Sequence, residues 1–366
     1  MINSCSREKE IVPRPYQPRD SHDAYRNSLK LAKLDDTALG KDWMKAAESV
    51  FEEQVDLSLP YREAFFMDVK SPGAMSYRFS ARRGHKIVIR LQQLEGDSAI
   101  LFMDAFRVIS DSLSDYRHIA SADSSWQLAF EPRRDADYIL RLQPELLRGG
   151  NYELDIQYGP ALKFPVTGKN KSAIWSFFGD PRDGGRREHH GVDIFAKRGT
   201  PIIAPTSGYV RFAGTRGIGG KVVWIRDDQR QQSLYFAHLD SFTVKKGAYI
   251  KVGDTLGTVG NTGNARFTPP HLHFGIYSNG PVDPFPFIAE VNEKPVPWSD
   301  HMTLLGQTLQ TKQETFLLEA PKRRSKPIDT LNIVAALQVE AIHASYLRVV
   351  TTEGKRGYLS RRKLDL

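Results

Sequence analysis

The stretch REHHGVDIF, residues 187–195, places two histidines side by side, with an aspartate three residues after the second. Side chains of an extended chain alternate between faces, so His189 and Asp193 share a face and His190 faces away. A helix would also align positions four apart, but Gly191 and the following VDIF argue against one. His189 is therefore the candidate functional residue, and His190 is a flanking residue.

A second histidine pair lies further along the chain, in HLHF at residues 271–274. On a strand, His271 and His273 point the same way, an arrangement that suits metal binding or shared proton transfer. A further histidine, His238, lies in the strand-like stretch FAHL. Taken alone, His-x-x-x-Asp is a weak motif, but its occurrence with His-x-His and FAHL in one strand-rich segment is a specific signal.

Two histidines and a carboxylate are a standard ligand set for catalytic zinc, with a fourth position left for water. The pattern therefore predicts one zinc ion held by His189, Asp193 and His273. Histidines titrate near neutral pH, so the two remaining imidazoles, His238 and His271, are the candidates for proton transfer and for stabilising an oxyanion.

The segment as a whole resembles the lysostaphin-type (LytM-like) zinc metallopeptidases, which cut short peptide bridges in bacterial cell walls. The resemblance is carried by SFFGDPRDGGRREHHGVDIFAKRGTPIIAPTSGYV, SLYFAHLDS, IKVGDTLGTVGNTG and PPHLHFGIY, which occur in the family's order over about residues 172–290. It implies zinc ligation by His189, Asp193 and His273, and catalytic roles for His271 and His238.

One position departs from the family pattern. The residue two before the histidine of FAHL is often tyrosine in the family, and here it is Phe236, with Tyr235 beside it. Alternation along a strand predicts that Tyr235 faces away from His238, which puts a role for a phenol there in doubt.

The glycine-rich stretch GNTGNARFTPP, residues 260–270, precedes the strand of His271 and is expected to form one wall of a groove. Glycines there permit either the close approach of an extended peptide or simple tight turns. From this stretch we expect substrate contacts from Asn261, Thr262 and Asn264.

The pattern of the whole chain predicts a mainly β protein with several domains. Residues 20–53 place Tyr25, Leu29, Leu31, Leu34, Leu39, Trp43 and Met44 at helix-like intervals, with a break at Gly40 and a cap at Asp20 or Ser21. The predicted domains are a polar tether at 1–19, a helical segment at 20–57, a β-sandwich of roughly eight strands at 58–165, an antiparallel-sheet zinc peptidase with an open groove at 170–292, a linker at 293–311 and an SH3-like barrel at 312–366.

The C-terminal stretch resembles bacterial SH3-like modules, through LEAP, YLRVVTTEGKRGYLS and the closing RRKL. The resemblance implies either a module that docks wall peptides or a structural cap on the peptidase. The net charge is +8, and residues 301–366 contribute eleven Lys/Arg against six Asp/Glu. A basic balance fits an acidic polymer or simply a solvated exterior, and we expect no nucleic-acid partner and a monomer.

The only cysteine is Cys5, which excludes an intrachain disulfide and cysteine-based metal sites. It is either an incidental thiol or the lipidated first residue of a lipoprotein whose leader is not in this sequence. No uninterrupted apolar run is long enough to span a bilayer. A wall substrate requires a location in the cell envelope, outside the cytoplasmic membrane.

These observations predict a zinc endopeptidase that hydrolyses crosslinks or stem peptides of peptidoglycan. Two alternatives stay open at this point. One is a non-catalytic wall-binding or hydrolase-activating scaffold, which lost ligands would favour, and no ligand is lost here. The other is a peptidase that acts on glycine-rich proteins, which the sequence does not separate from a wall enzyme.

Overall fold

The structure is a computed structural model that describes residues 16–95, 100–110, 115–298 and 301–365. Its secondary structure is mainly strand, in several antiparallel sheets with few helices, so the predicted fold class is confirmed. Cys5 and most of the proposed tether lie outside the described residues. Within them, no helix is both long and apolar enough to cross a membrane.

Two helices open the described chain, α1 (Ser21–Leu31) and α2 (Ala38–Ser49). The Asp20 carboxylate caps α1 by accepting a 2.7 Å hydrogen bond from the backbone N–H of Asp23. The predicted break at Gly40 is wrong, because Gly40 lies inside α2 and the chain turns before Thr37, the cap of α2. A Cβ atom at Gly40 would lie 1.9 Å from a backbone oxygen of that turn, so glycine permits the close contact.

Only part of the predicted apolar face of this helical segment packs on the protein. Trp43 is fully buried, and its Nε1–H donates a 2.8 Å hydrogen bond to the carbonyl of Pro144 in the following domain. Three leucines of the predicted pattern are instead exposed, namely Leu31, Leu34 and Leu39. The helix-like spacing identified the helices but not the turn between them: Leu34 lies in that turn, and Leu31 and Leu39 lie at the helix ends on either side of it.

A sandwich of two sheets follows the helices. Its strands are β1 (Val55–Asp56), β2 (Tyr61–Met67), β3 (Met75–Ala81), β4 (His85–Glu95), β5 (Leu101–Val108), β6 (Tyr116–Ser121), β7 (Gln127–Phe130), β8 (Ala136–Pro144) and β9 (Gly150–Pro160). One sheet has the order β1-β3-β8-β5-β6, and the other contains β2-β9-β4-β7. Large aromatic side chains such as Phe65, Tyr77 and Tyr152 are fully buried in its core.

The segment with the histidine motifs forms two sheets, one of ten strands and one of two. Its strands are β10 (Ile174–Ser176), β11 (Pro181–Arg182), β12 (Arg187–Glu188), β13 (Val192–Phe195), β14 (Pro201–Ile203), β15 (Gly208–Thr215), β16 (Lys221–Asp227), β17 (Gln232–Phe242), β18 (Tyr249–Ile250), β19 (Thr255–Val259), β20 (His271–Tyr277) and β21 (Pro281–Val282), followed by the short helix α3 (Phe285–Ile288). The main path of the ten-stranded sheet is β10-β13-β20-β17-β16-β15-β18, and β11 and β12 pair with each other in the separate two-stranded sheet.

Alternation along the central strands of this sheet separates a core face from a site face. Val192, Ile194, Leu272 and Phe274 are buried in the hydrophobic core. The residues between them in sequence therefore project from the opposite face.

The C-terminal strands are β22 (Thr308–Thr311), β23 (Thr315–Leu318), β24 (Pro327–Leu331), β25 (Ala336–His343), β26 (Tyr346–Thr351), β27 (Arg356–Ser360) and β28 (Leu364–Asp365). Strand β22 lies inside the stretch predicted as a linker, and it pairs with β25 and β28. Strand β25 also pairs with β2, so these strands extend one sheet of the sandwich. The C-terminal strands thus pack on the sandwich through this pairing. One alternative from the sequence was a structural cap on the peptidase domain.

Candidate active site

The pairing of β13 with β20 brings the two histidine motifs together. In this antiparallel register Asp193 lies opposite His273, and Phe195 lies opposite His271. His189 precedes β13, and its backbone is fixed by hydrogen bonds with Asp180 and Gly179, each 2.9 Å long. Asp193, His271 and His273 therefore project from one face of the sheet, as alternation along the two strands predicts.

Three potential ligand atoms converge at this point. The Nε2 atom of His189 lies 2.9 Å from Nδ1 of His273 and 3.0 Å from Oδ1 of Asp193, and His273 Nδ1 lies 3.0 Å from the same oxygen. Ligands about 2.0–2.1 Å from a tetrahedral zinc ion stand about 3.3 Å from one another, so a small adjustment suffices. The donor set therefore fits zinc. His190 is exposed and is not part of this cluster.

The charge states of the cluster also fit a metal. Burial opposes ionisation of Asp193, but hydrogen bonds with His189 and His273 outweigh it and hold the pKa of the carboxyl well below its usual range. Burial lowers the pKa of His273, against the opposing effect of Asp193. An ionised carboxylate and neutral imidazoles are the forms that bind zinc.

A set of side chains around the cluster orients the ligands. The Nδ1–H of His189 donates a 2.8 Å hydrogen bond to the carbonyl of Phe177, which leaves Nε2 with a free lone pair. Nη2 of Arg182 donates a 3.0 Å hydrogen bond to Oδ2 of Asp193, the oxygen that faces away from the cluster, and also bonds Ser176. Neither Arg182 nor Ser176 was among the predicted functional residues, although both lie in the stretch SFFGDPR that carries the family resemblance.

Two further imidazoles lie beside the cluster and are buried. The ring of His238 lies 5.1 Å from that of His271 and 6.0 Å from that of His273, measured between centroids. Nδ1 of His271 lies 2.9 Å from the carbonyl oxygen of Pro269, and Nδ1 of His238 lies 2.9 Å from that of Thr262. A carbonyl only accepts, so both Nδ1 atoms carry the proton and both Nε2 atoms present a lone pair.

His238 occupies a strained position on β17. Its φ is 65°, in the left-handed region that favours glycine. At this point β17 changes partners, since Ala237 pairs with His273 while Leu239 pairs with Val259 of β19. Burial, followed by the neighbouring imidazoles of His271 and His273, lowers the pKa of His238 to about 4, so its ring is neutral at neutral pH.

The irregularity at His238 also overturns the expectation for Tyr235. Strict alternation predicts that Tyr235 and His238 face opposite sides, but the Tyr235 ring lies 5.8 Å from that of His273, on the site face. Phe236 is instead fully buried in the core. The left-handed residue at 238 resets the alternation, so both Tyr235 and His238 flank the cluster.

Gly191 has a steric role at the site. From the sequence, this glycine indicated only that the stretch is not a helix. A Cβ atom there would lie 2.6 Å from the carbonyl oxygen of Phe274 and 2.7 Å from Cε1 of His273. Any larger residue would therefore push the His273 ring away from the other two ligands.

The stretch predicted as a groove wall lies beside His238 and contains a short 3-10 helix, Gly263–Phe267. The Thr262 hydroxyl accepts from the backbone N–H of Lys221 and donates to the carbonyl of Leu239, each at 2.9 Å. The Asn261 amide binds Arg198 and the carbonyls of residues 266 and 268. Asn264 is exposed. Asn261 and Thr262 thus brace the wall that holds His238.

A β-sheet that presents a two-histidine, one-carboxylate cluster with two more imidazoles defines a metallopeptidase site. Residues 187–284 match Peptidase family M23, and this part of the chain is an M23 metalloendopeptidase domain of the lysostaphin type with its His-Asp-His metal site complete.

Three comparisons illustrate the relationship. An "L-Ala--D-Glu endopeptidase" of Bacillus subtilis is 38% identical over 138 residues, which cover 34% of this chain and 42% of that protein. The "Peptidoglycan DD-endopeptidase ShyC" of Vibrio cholerae is 34% identical over 169 residues, covering 46% and 32%. The solved catalytic domain of lysostaphin from Staphylococcus simulans is 34% identical and covers 31% of this chain and 90% of that one, with a TM-score of 0.29. The chain spans less than half the length of these two curated relatives.

Proposed function

We propose that the protein is a zinc-dependent endopeptidase that hydrolyses peptide crosslinks or stem peptides of bacterial peptidoglycan. The observation that carries this proposal is the convergence of His189 Nε2, Asp193 Oδ1 and His273 Nδ1 to within 3.0 Å of one another. The names of the Bacillus and Vibrio relatives, one an endopeptidase for an L-Ala–D-Glu bond and the other for peptidoglycan, support the substrate class.

One zinc ion per chain would be held by His189, Asp193 and His273. Zinc at such a site supplies Lewis-acid polarisation of the scissile carbonyl and of the attacking water. The protein's own contribution is to hold the Asp193 carboxylate ionised and all three ligands oriented. Arg182 occupies the second carboxylate oxygen of Asp193, and Phe177 fixes the tautomer of His189.

His271 would act as the general base. Because its Nδ1–H is committed to the carbonyl of Pro269, its Nε2 lone pair is available to take a proton from the attacking water. That proton is then returned to the leaving amine as the peptide C–N bond breaks.

His238 would assist at the oxyanion. Its Nδ1–H is committed to Thr262 and its Nε2 presents a lone pair, so it would donate to the tetrahedral oxyanion only with the proton that the attacking water gives up, received through the adjacent ring of His271. A well-placed donor of this kind contributes roughly 3 kcal/mol to the transition state. Asn261, Thr262 and Asn264 are the proposed substrate-binding residues of the adjoining wall.

The flanking segments would place the enzyme at its substrate. We assign residues 312–366 as an SH3-like module that docks wall peptides or packs on the sandwich, and the protein as a monomer. Cys5, outside the described residues, is the proposed lipid-anchoring residue. A cell-envelope location outside the cytoplasmic membrane follows from the proposed substrate.

Muropeptide mapping tests this function. Purified peptidoglycan is treated with the zinc-loaded full chain, and the released peptides are separated and sequenced by mass spectrometry. We expect new peptide termini with the wild type and none with His271→Ala. A zinc-loaded wild type that leaves the peptidoglycan intact would show that the chain is a non-catalytic scaffold. Cleavage of a glycine-rich protein but of no wall peptide would show that the substrate class is glycine-rich proteins instead of peptidoglycan.

A further inference from the structure

An exposed tryptophan lies in line with the proposed catalytic histidines. Trp175 on β10 is 68% exposed. Its indole stacks on the ring of Phe195 at 4.7 Å and 18°, and Phe195 stacks on the ring of His271 at 5.0 Å and 28°. The three residues come from the adjacent strands β10, β13 and β20, so Trp175 lies at the rim of the same face that carries the site.

The indole of Trp175 is held rigid. Its Nε1–H donates a 3.2 Å hydrogen bond to the carbonyl of Ser172, and Phe195 covers one of its faces. A large flat ring that is fixed in place and remains exposed is a binding platform, because little conformational entropy is lost when a ligand covers it.

A polar side chain, that of Asn170, is connected to this ring through Ser172. The Oδ1 atom of Asn170 accepts hydrogen bonds from the backbone N–H and the hydroxyl of Ser172, at 3.0 and 2.7 Å. Within the described parts of the chain, the Nδ2 amide of Asn170 has no hydrogen-bond partner, and the residue is exposed. The rim therefore combines an apolar plane with a free amide donor.

We infer that Trp175 and Asn170 form a sugar-binding subsite, and that the substrate is a stem peptide still attached to its glycan strand. A pyranose ring has an apolar C–H face that stacks on an indole, while its hydroxyl and acetamido groups accept hydrogen bonds from an amide. A peptide methyl group would contact the indole ring but would accept no hydrogen bond from the Asn170 amide. This inference rests on the proposed function.

The spacing agrees with such a substrate. Neighbouring strands stand about 4.8 Å apart, so Trp175 on β10 lies roughly 10 Å from His271 on β20. That distance corresponds to about three residues of extended peptide. Stem peptides begin on a sugar of the glycan, so a bond cut within a few residues of the attachment point places this sugar on the Trp175 ring.

The test compares two substrates with the full-length, zinc-loaded protein. One is a stem peptide attached to its disaccharide, and the other is the same peptide without the sugar. The measured quantity is the ratio of the two kcat/KM values. Trp175→Ala should lower this ratio about tenfold, the loss of one good aromatic contact, and Trp175→Phe should retain much of it.

Two further variants sharpen the comparison. Asn170→Asp keeps the oxygen that caps the Ser172 N–H but removes the amide donor, so it should lower the ratio without changing the fold. Tyr249→Ala removes a 57% exposed aromatic ring from β18, at the opposite end of the sheet path, and should leave the ratio unchanged. An unchanged ratio in Trp175→Ala would overturn the inference, whether both substrates lose rate equally or neither does.

Binding of the disaccharide alone separates this inference from the proposed function. If the wild type cleaves neither substrate, the proposed function fails, but titration calorimetry with the disaccharide still tests the subsite. Binding to the wild type that is lost in Trp175→Ala supports the subsite. No binding to the wild type, or equal binding to both proteins, overturns it.

Discussion

The Nε2 atom of His189 lies 2.9 Å from the Nδ1 atom of His273, although 84 positions separate the two residues in the sequence. His189 presents Nε2 to the cluster and His273 presents Nδ1, because their backbones are held in different ways. His189 lies on a loop that bonds its Nδ1–H to Phe177, whereas His273 lies on β20 opposite Asp193. The metal site is therefore a product of strand pairing and of one loop contact, and each part can be tested separately.

The ligand assignment predicts different outcomes for the adjacent histidines. His189→Ala removes one of the three converging donor atoms, so we expect the purified protein to lose its zinc. His190→Ala alters an exposed side chain and should retain about one zinc ion per chain. Metal content is measured by mass spectrometry after dialysis. Zinc retained in His189→Ala but absent from His190→Ala would reverse the assignment.

Gly191→Ala should damage the metal site without adding a polar group or a charge. The new methyl group would lie 2.7 Å from Cε1 of His273, so the ring must shift away from His189 and Asp193. We expect zinc affinity, measured by competition with a chelator, to fall at least tenfold. Gly159→Ala is the matched control, because a Cβ atom there meets nothing within 4 Å. Equal affinities for the two variants would show that the site adapts to the methyl group.

Arg182→Ala tests whether a residue outside the cluster orients a ligand. Without the 3.0 Å hydrogen bond to Oδ2, the Asp193 carboxylate is free to rotate. Loss of such an orienting partner lowers metal affinity or activity roughly 10–100-fold. Arg211→Ala, at an exposed position of β15, removes the same charge from the domain and should have no effect. If both variants lose zinc affinity alike, general electrostatics rather than orientation explains the loss.

The sequence predicted that these three side chains come together, and for Asp193 and His273 it did so because they lie on regular strands, whereas His189 lies on the loop before β13. Asp193 and His273 are each two positions from a neighbour on the same face, and a period of two holds along β13 and β20. The same rule failed for Tyr235, because the positive φ of His238 interrupts the period on β17. No sequence pattern predicts that a histidine adopts a left-handed backbone conformation, so this error could not be detected from the sequence.

Contacts between segments that are separate in the chain could not be predicted from the sequence either. Nothing in the residues around Arg182 shows that its side chain meets Asp193, because the contact depends on how the loop after β10 folds back. The pairing of β25 with β2 is a second case, since any two strand edges with suitable side chains can pair. By contrast, the helix cap at Asp20 was predicted, because capping is a local property.

The joint between the sandwich and the C-terminal strands contains a buried ion pair. Nη1 of Arg348 lies 2.9 Å from Oε1 of Glu63, and both side chains are almost fully buried. The Glu63 carboxylate also accepts hydrogen bonds of 2.6 and 2.7 Å from the hydroxyls of Tyr61 and Tyr77. Arg348→Met leaves the Glu63 charge buried without its cation, so we expect a loss of about 3–5 kcal/mol in the free energy of unfolding.

A double-mutant cycle in urea measures this pair. Glu63→Gln combined with Arg348→Met removes both charges, so the double variant should be more stable than Arg348→Met alone. If the two single losses simply add, the charges do not interact and the pairing of β2 with β25 alone holds the joint.

The docking of the N-terminal helices should weaken in acid because of His22. This residue is 4% exposed, its Nε2–H donates a 2.7 Å hydrogen bond to Oε1 of Gln143, and its ring stacks on Trp43 at 4.8 Å. Burial, followed by the charge of Arg141, lowers its pKa from 6.5 to about 4, and the nearby carboxylates Asp104 and Asp20 only partly oppose the shift.

The depressed pKa of His22 fixes the direction of the pH effect. As the pH falls below 6.5, the unfolded chain binds a proton at His22 that the folded protein does not bind until about pH 4. The unfolded state is thereby favoured, by about 1.4 kcal/mol for each unit of the shift and so on the order of 3 kcal/mol in all. His22→Gln keeps a donor for Gln143 but does not titrate, so its free energy of unfolding should fall less between pH 7 and pH 4. Urea unfolding of both proteins, followed by tryptophan fluorescence, measures the difference. Parallel curves for the wild type and His22→Gln would show that other groups cause the acid sensitivity.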